Sequence, residues 1–178
     1  MKKIIAIVVW LVVIAWLWLF IMKSSKWAIY TGKTVSVDYI GSFPDGKVFD
    51  TSIEKVAKEN ALYNPQRPYA PLSFEVGGNT VIPGFGNAVN GMKIWQTKKV
   101  TLEPKDAYGE IDPTKVSKVD RGLFQQANIV PQVGQTYQIR GQISTVKEMT
   151  ETEVTIDTNN PMAGKTLVFE ITLKSVEK

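Results

Sequence analysis

The sequence predicts an α+β protein preceded by an apolar segment of membrane-spanning length. Short runs of alternating apolar and polar residues, bounded by turns with Gly or Pro, indicate strands. Three short stretches have the spacing or capping residues of helices. The third observation is an unbroken apolar run near the N-terminus. A chain of 178 residues suffices for one domain of moderate size or two small ones.

The apolar run contains 19 residues, beginning at Ile4 and ending at Met22. As a helix it would measure about 28 Å, close to the hydrocarbon thickness of a bilayer. A cleaved signal peptide is the alternative, but bulky residues follow where a signal peptidase needs small ones. A buried core helix is a further alternative, yet a helix apolar on every side could hardly be covered in so small a protein.

We therefore expect residues 1–26 to be an uncleaved anchor and its exit, which makes this a single-pass protein of the cell membrane. The flanking lysines are nearly balanced, with a slight excess of positive charge at the N-terminal side. This favours a cytoplasmic N-terminus and an extracytoplasmic remainder.

Composition excludes several kinds of chemistry. The chain has no Cys and no His, which rules out disulfides, thiolate metal sites, cysteine nucleophiles and hydrolases with a histidine base. The net charge of +4 comes without a basic run, so we expect no nucleic-acid partner. We also expect no metal and no cofactor.

The first elements after the exit form a predicted hairpin. A strand begins at Thr34, a Pro-Asp-Gly turn follows, and a short strand covers 47–50. Ser52 is expected to cap a short helix. The segment up to 71 contains three prolines and is expected to be an irregular, mobile surface excursion.

Further strands are predicted at 72–76 and 98–102, with a helix between them that starts at Pro83. A final alternating strand is predicted at 167–174, with Leu167, Phe169, Ile171 and Leu173 on one face.

Residues 113–163 form a separate compositional block. Asp120 is placed to cap a brief helix, and three strand candidates follow. These candidates are 136–140, 142–147 and 153–157.

Five motifs that each contain an aromatic residue occur in order along the chain. They read V-x-Y-x-G at 37–41, D-G-x-x-F-D at 45–50, V-I-x-G-F at 81–85, A-Y-G at 107–109 and L-V-F-x-I-x-L at 167–173. In this order they resemble the FKBP-type peptidyl-prolyl cis/trans isomerases. The block after A-Y-G is similar to the insert-in-flap domain of the SlyD-like members.

The resemblance implies an FKBP-like antiparallel β-sheet wrapped on a short helix. The isomerase domain would comprise residues 27–111 and 164–178. Residues 112–163 would form a small β-rich inserted lobe that binds unfolded chains. The His- and Cys-rich tail of many SlyD-like proteins is missing, so nickel handling is not implied.

The resemblance also implies a site, an aromatic pocket that would hold a prolyl ring. The candidate catalytic residues are Asp50, at the polar edge of the pocket, and Tyr108, whose hydroxyl would receive a substrate carbonyl together with the Ile82 N–H. Leu72 and Phe74 are weaker candidates for the wall. The candidate substrate-binding residues are Tyr39, Phe49, Val81, Ile82, Phe85 and Phe169. Without the resemblance, aromatic residues that alternate in strands are more often core than pocket.

The leading interpretation is a membrane-anchored, monomeric prolyl isomerase with a chaperone lobe. Its partners would be proline-containing and unfolded polypeptides, and the lipid bilayer through the anchor. The alternative is a membrane-tethered holdase with a catalytically weak pocket. A weaker possibility is an accessory subunit of a membrane complex.

Overall fold

The computed structural model describes residues 30–139 and 141–177, with only the backbone of Ile139. The predicted anchor at residues 4–22 lies outside the described residues. Within the described ranges, no helix is long and apolar enough to cross a membrane.

The described chain folds into two antiparallel sheets. The first has the strand order β2-β1-β9-β4, and β3 pairs with the same edge of β1 as β2 does. Its strands are β1 (Thr34–Ser42), β2 (Val48–Thr51), β3 (Leu72–Glu75), β4 (Thr97–Leu102) and β9 (Leu167–Val176). We call this sheet with its helices the isomerase body.

Two α-helices belong to the isomerase body, α1 (Glu54–Glu59) and α2 (Pro83–Ala88). Pro83 occupies the first turn of α2, as predicted. The side chains of Phe85, Val89 and Met92 are buried against the sheet. Helix α2 ends at Ala88, so Met92 belongs to the turn beyond it.

The second sheet has the order β5-β8-β7-β6 and forms the inserted lobe. A short helix, α3 (Arg121–Gln126), follows β5, and Asp120 caps it as predicted by accepting a bond from the Gly122 N–H. The strands are β5 (Val116–Asp120), β6 (Thr136–Ile139), β7 (Gln142–Met149) and β8 (Glu153–Asp157).

One expectation about elements was wrong, and one strand was missed. Ser52 does not cap α1, whose N-cap is Ile53. Its hydroxyl instead accepts a bond from the Tyr39 N–H and donates to Asp38, because it is buried under the neighbouring strand. Strand β5 was not predicted, since its mostly exposed edge position gives it no clear apolar alternation.

Strand direction distinguishes the two ends of the first sheet. Both β1 and β4 run antiparallel to β9. The starts of β1 and β4 and the end of β9 therefore lie together, at what we call the proximal end. The inserted lobe leaves the chain after β4 and returns before β9, which places its attachment at the distal end.

Candidate active site

A cavity of about 590 Å³ opens between α2 and the sheet of the isomerase body. It contains all but one of the residues that the sequence assigned to catalysis or substrate binding, and of the two weaker wall candidates it contains Leu72 but not Phe74. The lining residues are Tyr39, Asp50, Leu72, Gly78, Asn79, Thr80, Val81, Ile82, Pro83, Phe85, Tyr108 and Phe169.

Phe85 connects the cavity to the core. Its ring meets Tyr39 edge-to-face at 5.6 Å between centroids and Phe169 at 5.2 Å. It is only 3% exposed, so it occupies the deepest part of the wall. Edge-to-face contacts of this kind each contribute about 0.5–1.5 kcal/mol beyond area burial, and they fix the orientation of the rings.

The one assigned residue that does not line the cavity is Phe49. Its ring packs edge-to-face on Phe169 at 5.8 Å and against Phe43 at 5.0 Å, behind the cavity wall. Both Phe49 and Phe169 lie across Gly41, where an added Cβ would come within 2.9 Å of each ring. The glycine of the first motif is therefore needed for the close approach of the two aromatic rings. Phe74 is also buried behind the cavity, 5.7 Å from Phe85.

Asp50 is at the centre of a polar cluster at one side of the cavity. Its Oδ2 accepts a hydrogen bond from the Tyr39 hydroxyl at 2.7 Å, and its Oδ1 accepts one from the Thr51 N–H at 2.9 Å. Arg67 donates to Oδ1 at 2.5 Å and also to the Tyr39 hydroxyl at 3.1 Å. The carboxylate is thus fixed from three directions.

The electrostatics of this cluster favour a neutral tyrosine beside an ion pair. Burial, together with the hydrogen bond to Asp50, raises the pKa of Tyr39 to about 12. The hydrogen bond to Asp50 also raises the pKa of Arg67. Tyr39 therefore stays protonated at neutral pH and donates to the carboxylate.

Arg67 was missed by the sequence reasoning, which treated its segment as a mobile excursion. The segment has no regular element, as expected from its prolines, yet Arg67 returns from it to the cavity. A signal was present: Arg67 is the only arginine among the first 120 residues, and a proline follows it directly. Nothing in the sequence indicates, however, that the loop folds back onto Asp50.

Tyr108 and Ile82 lie at the open side of the cavity. Tyr108 is 41% exposed and follows the short 3-10 helix Pro104–Asp106. Ile82 is the N-cap of α2. Gly84, in the first turn of α2, faces Leu102 and the Asp106 carbonyl so closely that an added Cβ would lie within 2.8 Å of both. This contact brings the A-Y-G segment next to the start of α2.

An arrangement of this kind suits binding and orientation of an apolar group. Its buried lining residues include Tyr39, Phe85 and Phe169, and its polar lining residues include Asp50, Asn79 and Thr80. Within residues 30–139 and 141–177, Asp and Glu side chains form no cluster of three that could hold a metal ion. What the site offers to a ligand is an apolar surface and a few fixed hydrogen-bonding groups.

The inserted lobe carries a second cavity, of about 480 Å³, between α3 and its sheet. Its apolar lining comes from Val119, Leu123, Phe124, Ala127, Ile129 and Ile156. Hydroxyl and amide groups from β6 and β7 line the other side, including Gln138 and Ser144.

Comparisons with known proteins point to one family over most of the chain. The family model described as FKBP-type peptidyl-prolyl cis-trans isomerase matches residues 26–174, a range that includes the inserted lobe. The short-type peptidyl-prolyl cis-trans isomerase of Methanocaldococcus jannaschii is 41% identical over 149 residues, covering 84% of this chain and 94% of the relative. The SlyD isomerase of Helicobacter pylori is 32% identical over 102 residues, covering 56% of this chain and 55% of that protein.

Among solved structures, the crystal structure of FkpA from Escherichia coli aligns with 84% of this chain and 42% of its own, at 23% identity and a TM-score of 0.41. The family match confirms the FKBP-like antiparallel sheet with few helices. It also confirms the predicted enzyme class. The chain belongs to the FKBP-type peptidyl-prolyl cis-trans isomerases.

Proposed function

We propose that this isomerase acts at a membrane on prolines in unfolded chains that its inserted lobe holds. One observation carries the proposal: a single chain has two separate cavities of similar size, one in the isomerase body and one in the lobe. The first is lined by buried aromatic rings, which suits one kind of group. The second has the exposed apolar residue Leu123 in its lining, which suits many sequences.

In the first cavity, catalysis needs no covalent step. Rotation about an X–Pro bond must overcome a barrier of about 18–20 kcal/mol that comes from amide resonance. The twisted amide has lost this resonance and is less polar, so an apolar wall favours it over the planar amide. We assign the wall to Tyr39, Val81, Ile82, Phe85 and Phe169, with Phe49 supporting it from behind.

Two polar residues complete the proposed catalytic site. Asp50, held by Tyr39 and Arg67, would fix the substrate backbone at the polar side. The exposed Tyr108 hydroxyl would receive a substrate carbonyl at the opening, together with the Ile82 N–H. Binding energy is then used to orient the reacting amide.

The second cavity supports the holding role. Leu123, in its lining, is 51% exposed, and Val130, which follows the lining residue Ile129, is 75% exposed. Apolar side chains that are exposed beside a cavity are typical of a binding surface. An unfolded chain offers apolar side chains that this surface can cover.

The membrane location rests on the sequence. Residues 4–22 are long and apolar enough to span a bilayer, and the flanking charges favour an extracytoplasmic isomerase.

A crossed experiment tests the division of labour between the cavities. The full chain in detergent is assayed on a short proline peptide, by cis/trans exchange NMR, and on an unfolded protein whose refolding is limited by proline isomerisation. Tyr108→Ala should lower kcat/KM on both substrates by about tenfold or more, equivalent to about 1.4 kcal/mol. Leu123→Ser should leave the peptide rate unchanged and slow only the protein substrate.

Val133→Ser is the matched control, because Val133 is an exposed apolar residue of the same lobe that does not line the cavity. Equal losses from Leu123→Ser on peptide and protein would contradict separate roles. A wild-type chain that protects unfolded protein from aggregation without accelerating exchange in the peptide would favour the holdase alternative.

A further inference from the structure

The tight turn at residues 93–96 exposes two large apolar side chains at the proximal end of the isomerase body. Ile94 is 50% exposed and Trp95 is 68% exposed. Neither residue lines the cavity of the isomerase body or that of the inserted lobe. The turn is thus an apolar tip that the isomerase site does not use.

Hydrogen bonds hold this turn in place. The Trp95 N–H donates to the Leu173 carbonyl at 2.6 Å, and the Leu173 N–H donates to the Gln96 carbonyl at 3.1 Å. The Gln96 side chain accepts a bond from the Lys93 N–H at 2.8 Å. The tip is therefore a fixed part of the sheet end.

Trp95 is also strained. Its φ of 70° lies in the left-handed region, which a bulky residue rarely adopts. Glycine would relieve this strain, and an exposed tryptophan contributes little packing in return. A strained, exposed aromatic residue that costs stability points to a role outside the fold.

The chain enters the described domain beside this turn. The Tyr30 N–H donates to the Asn90 side chain at 2.9 Å, and the Tyr30 hydroxyl donates to the Met92 carbonyl at 2.8 Å. Seven residues separate Tyr30 from Met22, the last residue of the apolar run. Fully extended, this link spans at most about 29 Å. A membrane that holds the anchor therefore lies within that distance of the residues that precede the turn.

Basic side chains lie in and beside this turn. Lys93 is exposed within it, and the Lys174 ammonium lies 4.4 Å from the centre of the Trp95 ring and 3.1 Å from the Asp38 carboxylate. Farther from the turn, the exposed Lys33 is offset by the exposed Glu75 and Glu177. Tryptophan beside lysines is the combination that favours the headgroup region of a bilayer.

We propose that the 93–96 turn inserts Ile94 and Trp95 into the headgroup interface of the membrane, with its lysines against anionic lipids. This rests on the proposed anchor at residues 4–22. The contact would fix the proximal end on the bilayer and direct the distal end, where the inserted lobe is attached, away from it. Unfolded chains could then reach the lobe without competition from the membrane surface.

The natural absence of cysteine allows a direct test. The full chain with Ile94→Cys is labelled with a nitroxide and reconstituted into vesicles that contain anionic lipid. Collision rates with oxygen and with a water-soluble nickel chelate are then measured by electron paramagnetic resonance. Val133→Cys, an exposed apolar position on the inserted lobe, is the matched control. We expect the nickel collision rate at 94 to be at least about fivefold lower than at 133, with oxygen access retained, because interfacial side chains lie below the aqueous phase.

Flotation of the same vesicles separates this proposal from the anchor. A chain that fails to float with them overturns both. A chain that floats while the label at 94 is as accessible to nickel as the label at 133 overturns the turn insertion alone. Low access to both oxygen and nickel would mean that protein covers the turn, which also overturns it.

A second variant distinguishes lipid contact from a structural role. In the Ile94→Cys background, Trp95→Gly should raise nickel access at 94 while Tm stays equal or rises, since the left-handed strain is removed. Activity on a short proline peptide should not change. A lower Tm would instead assign Trp95 to the fold. In vesicles of neutral lipid, the label at 94 should lie less deep in the membrane than in vesicles with anionic lipid, because the attraction of the lysines is lost.

Discussion

The isomerase body and the inserted lobe have similar plans but very different interiors. Each is an antiparallel sheet with a short helix against it, yet among the described residues the core cluster of the body has fourteen buried apolar side chains and that of the lobe has four. The cavity wall of the body includes Phe85, which is 3% exposed, whereas that of the lobe includes Leu123, which is 51% exposed. This difference agrees with the proposed roles, since a pocket that orients one amide needs a rigid wall and a surface that accepts many chains does not.

The two regions also use polar side chains differently. In the body, Asp50 lies at the rim and its partners aim it at the cavity. In the lobe, Asp157 and Asn159 are both buried where the chain returns to the body. Asn159 donates to Asp157 and to the Asp112 carbonyl, and it accepts a bond from the Asp112 N–H. This network joins the two connecting segments of the lobe.

The largest expected effect tests the difference in core packing with a matched pair. Ile171→Ala in the body and Ile156→Ala in the lobe remove the same atoms from positions that are 0% and 6% exposed. We expect Ile171→Ala to cost about 4 kcal/mol and to lower the protection of the whole body, because a well-packed core relaxes little around a cavity. Ile156→Ala should cost about 2 kcal/mol and act on the lobe alone. Hydrogen exchange measured by mass spectrometry shows the loss of protection in the body and in the lobe separately.

Equal losses, or loss of protection in the body when Ile156 is truncated, would show that the two regions unfold as one unit.

A second prediction concerns alkaline pH and the body. The unfolded chain releases the Tyr39 proton near pH 10, whereas the folded protein holds it until about pH 12. The unfolded state thus binds fewer protons between these values, so the stability that is present below pH 10 is lost as pH rises toward 12. Because one pKa unit corresponds to about 1.4 kcal/mol, the loss is at most about 3 kcal/mol.

Tyr39→Phe is the control, since it removes this proton but keeps the other tyrosines and the lysines, which also titrate in this pH range. The free energy of unfolding is measured with denaturant at pH 9, 10, 11 and 12. The values for the wild type and the variant should move closer together as the pH rises. Parallel curves would refute the assignment of the shifted group to Tyr39.

The smallest expected effect concerns acid pH and the lobe. Burial raises the pKa of Asp157, but hydrogen bonds from Asn159 and the Lys147 ammonium outweigh it, and the net pKa is lowered. A depressed folded pKa gives stability that is present above the ordinary carboxyl value of about 3.9 and is lost as pH falls through the folded value. Asp157→Asn should therefore cost about 1 kcal/mol at neutral pH.

Hydrogen exchange at pH 5, 4 and 3 checks this prediction. Lobe amides of the wild type should lose protection as the pH falls, and the body should change less. The Asp157→Asn lobe should show a weaker dependence on pH, and an identical dependence would contradict the role of Asp157.

Much of the body could be predicted from the sequence because its strands and helix starts are marked by residues close together in the chain. Buried positions alternate strictly along β1, and Phe169, Ile171 and Leu173 alternate in β9, so both strands were recognised from their patterns. Pro83 marked the start of α2, and Asp120 marked that of α3. The misses were of another kind. The Ser52 hydroxyl could cap α1 or bond to the neighbouring strand, and only the packing against β1 determines which of these it does.

The candidate site divides in the same way. The motifs, through their resemblance to a known family, supplied the cavity residues, but they did not show that Phe49 lies behind Phe169. Nor did they show that Arg67 reaches Asp50 across 17 positions of the chain. Contacts of this kind depend on how an irregular loop closes, which no residue pattern encodes.

By itself, the sequence determined the enzyme family, the faces of the principal strands and the absence of cysteine and histidine chemistry. These follow from residue identity and from short-range periodicity, which are fixed before folding. Only the tertiary structure decided which groups meet: Arg67 with Asp50 and Tyr39, Asn159 with the two connections of the lobe, and the 93–96 turn with the point where the chain enters the domain. The reason is that long-range contacts are set by how packed surfaces fit together, and that fit is a property of the whole fold.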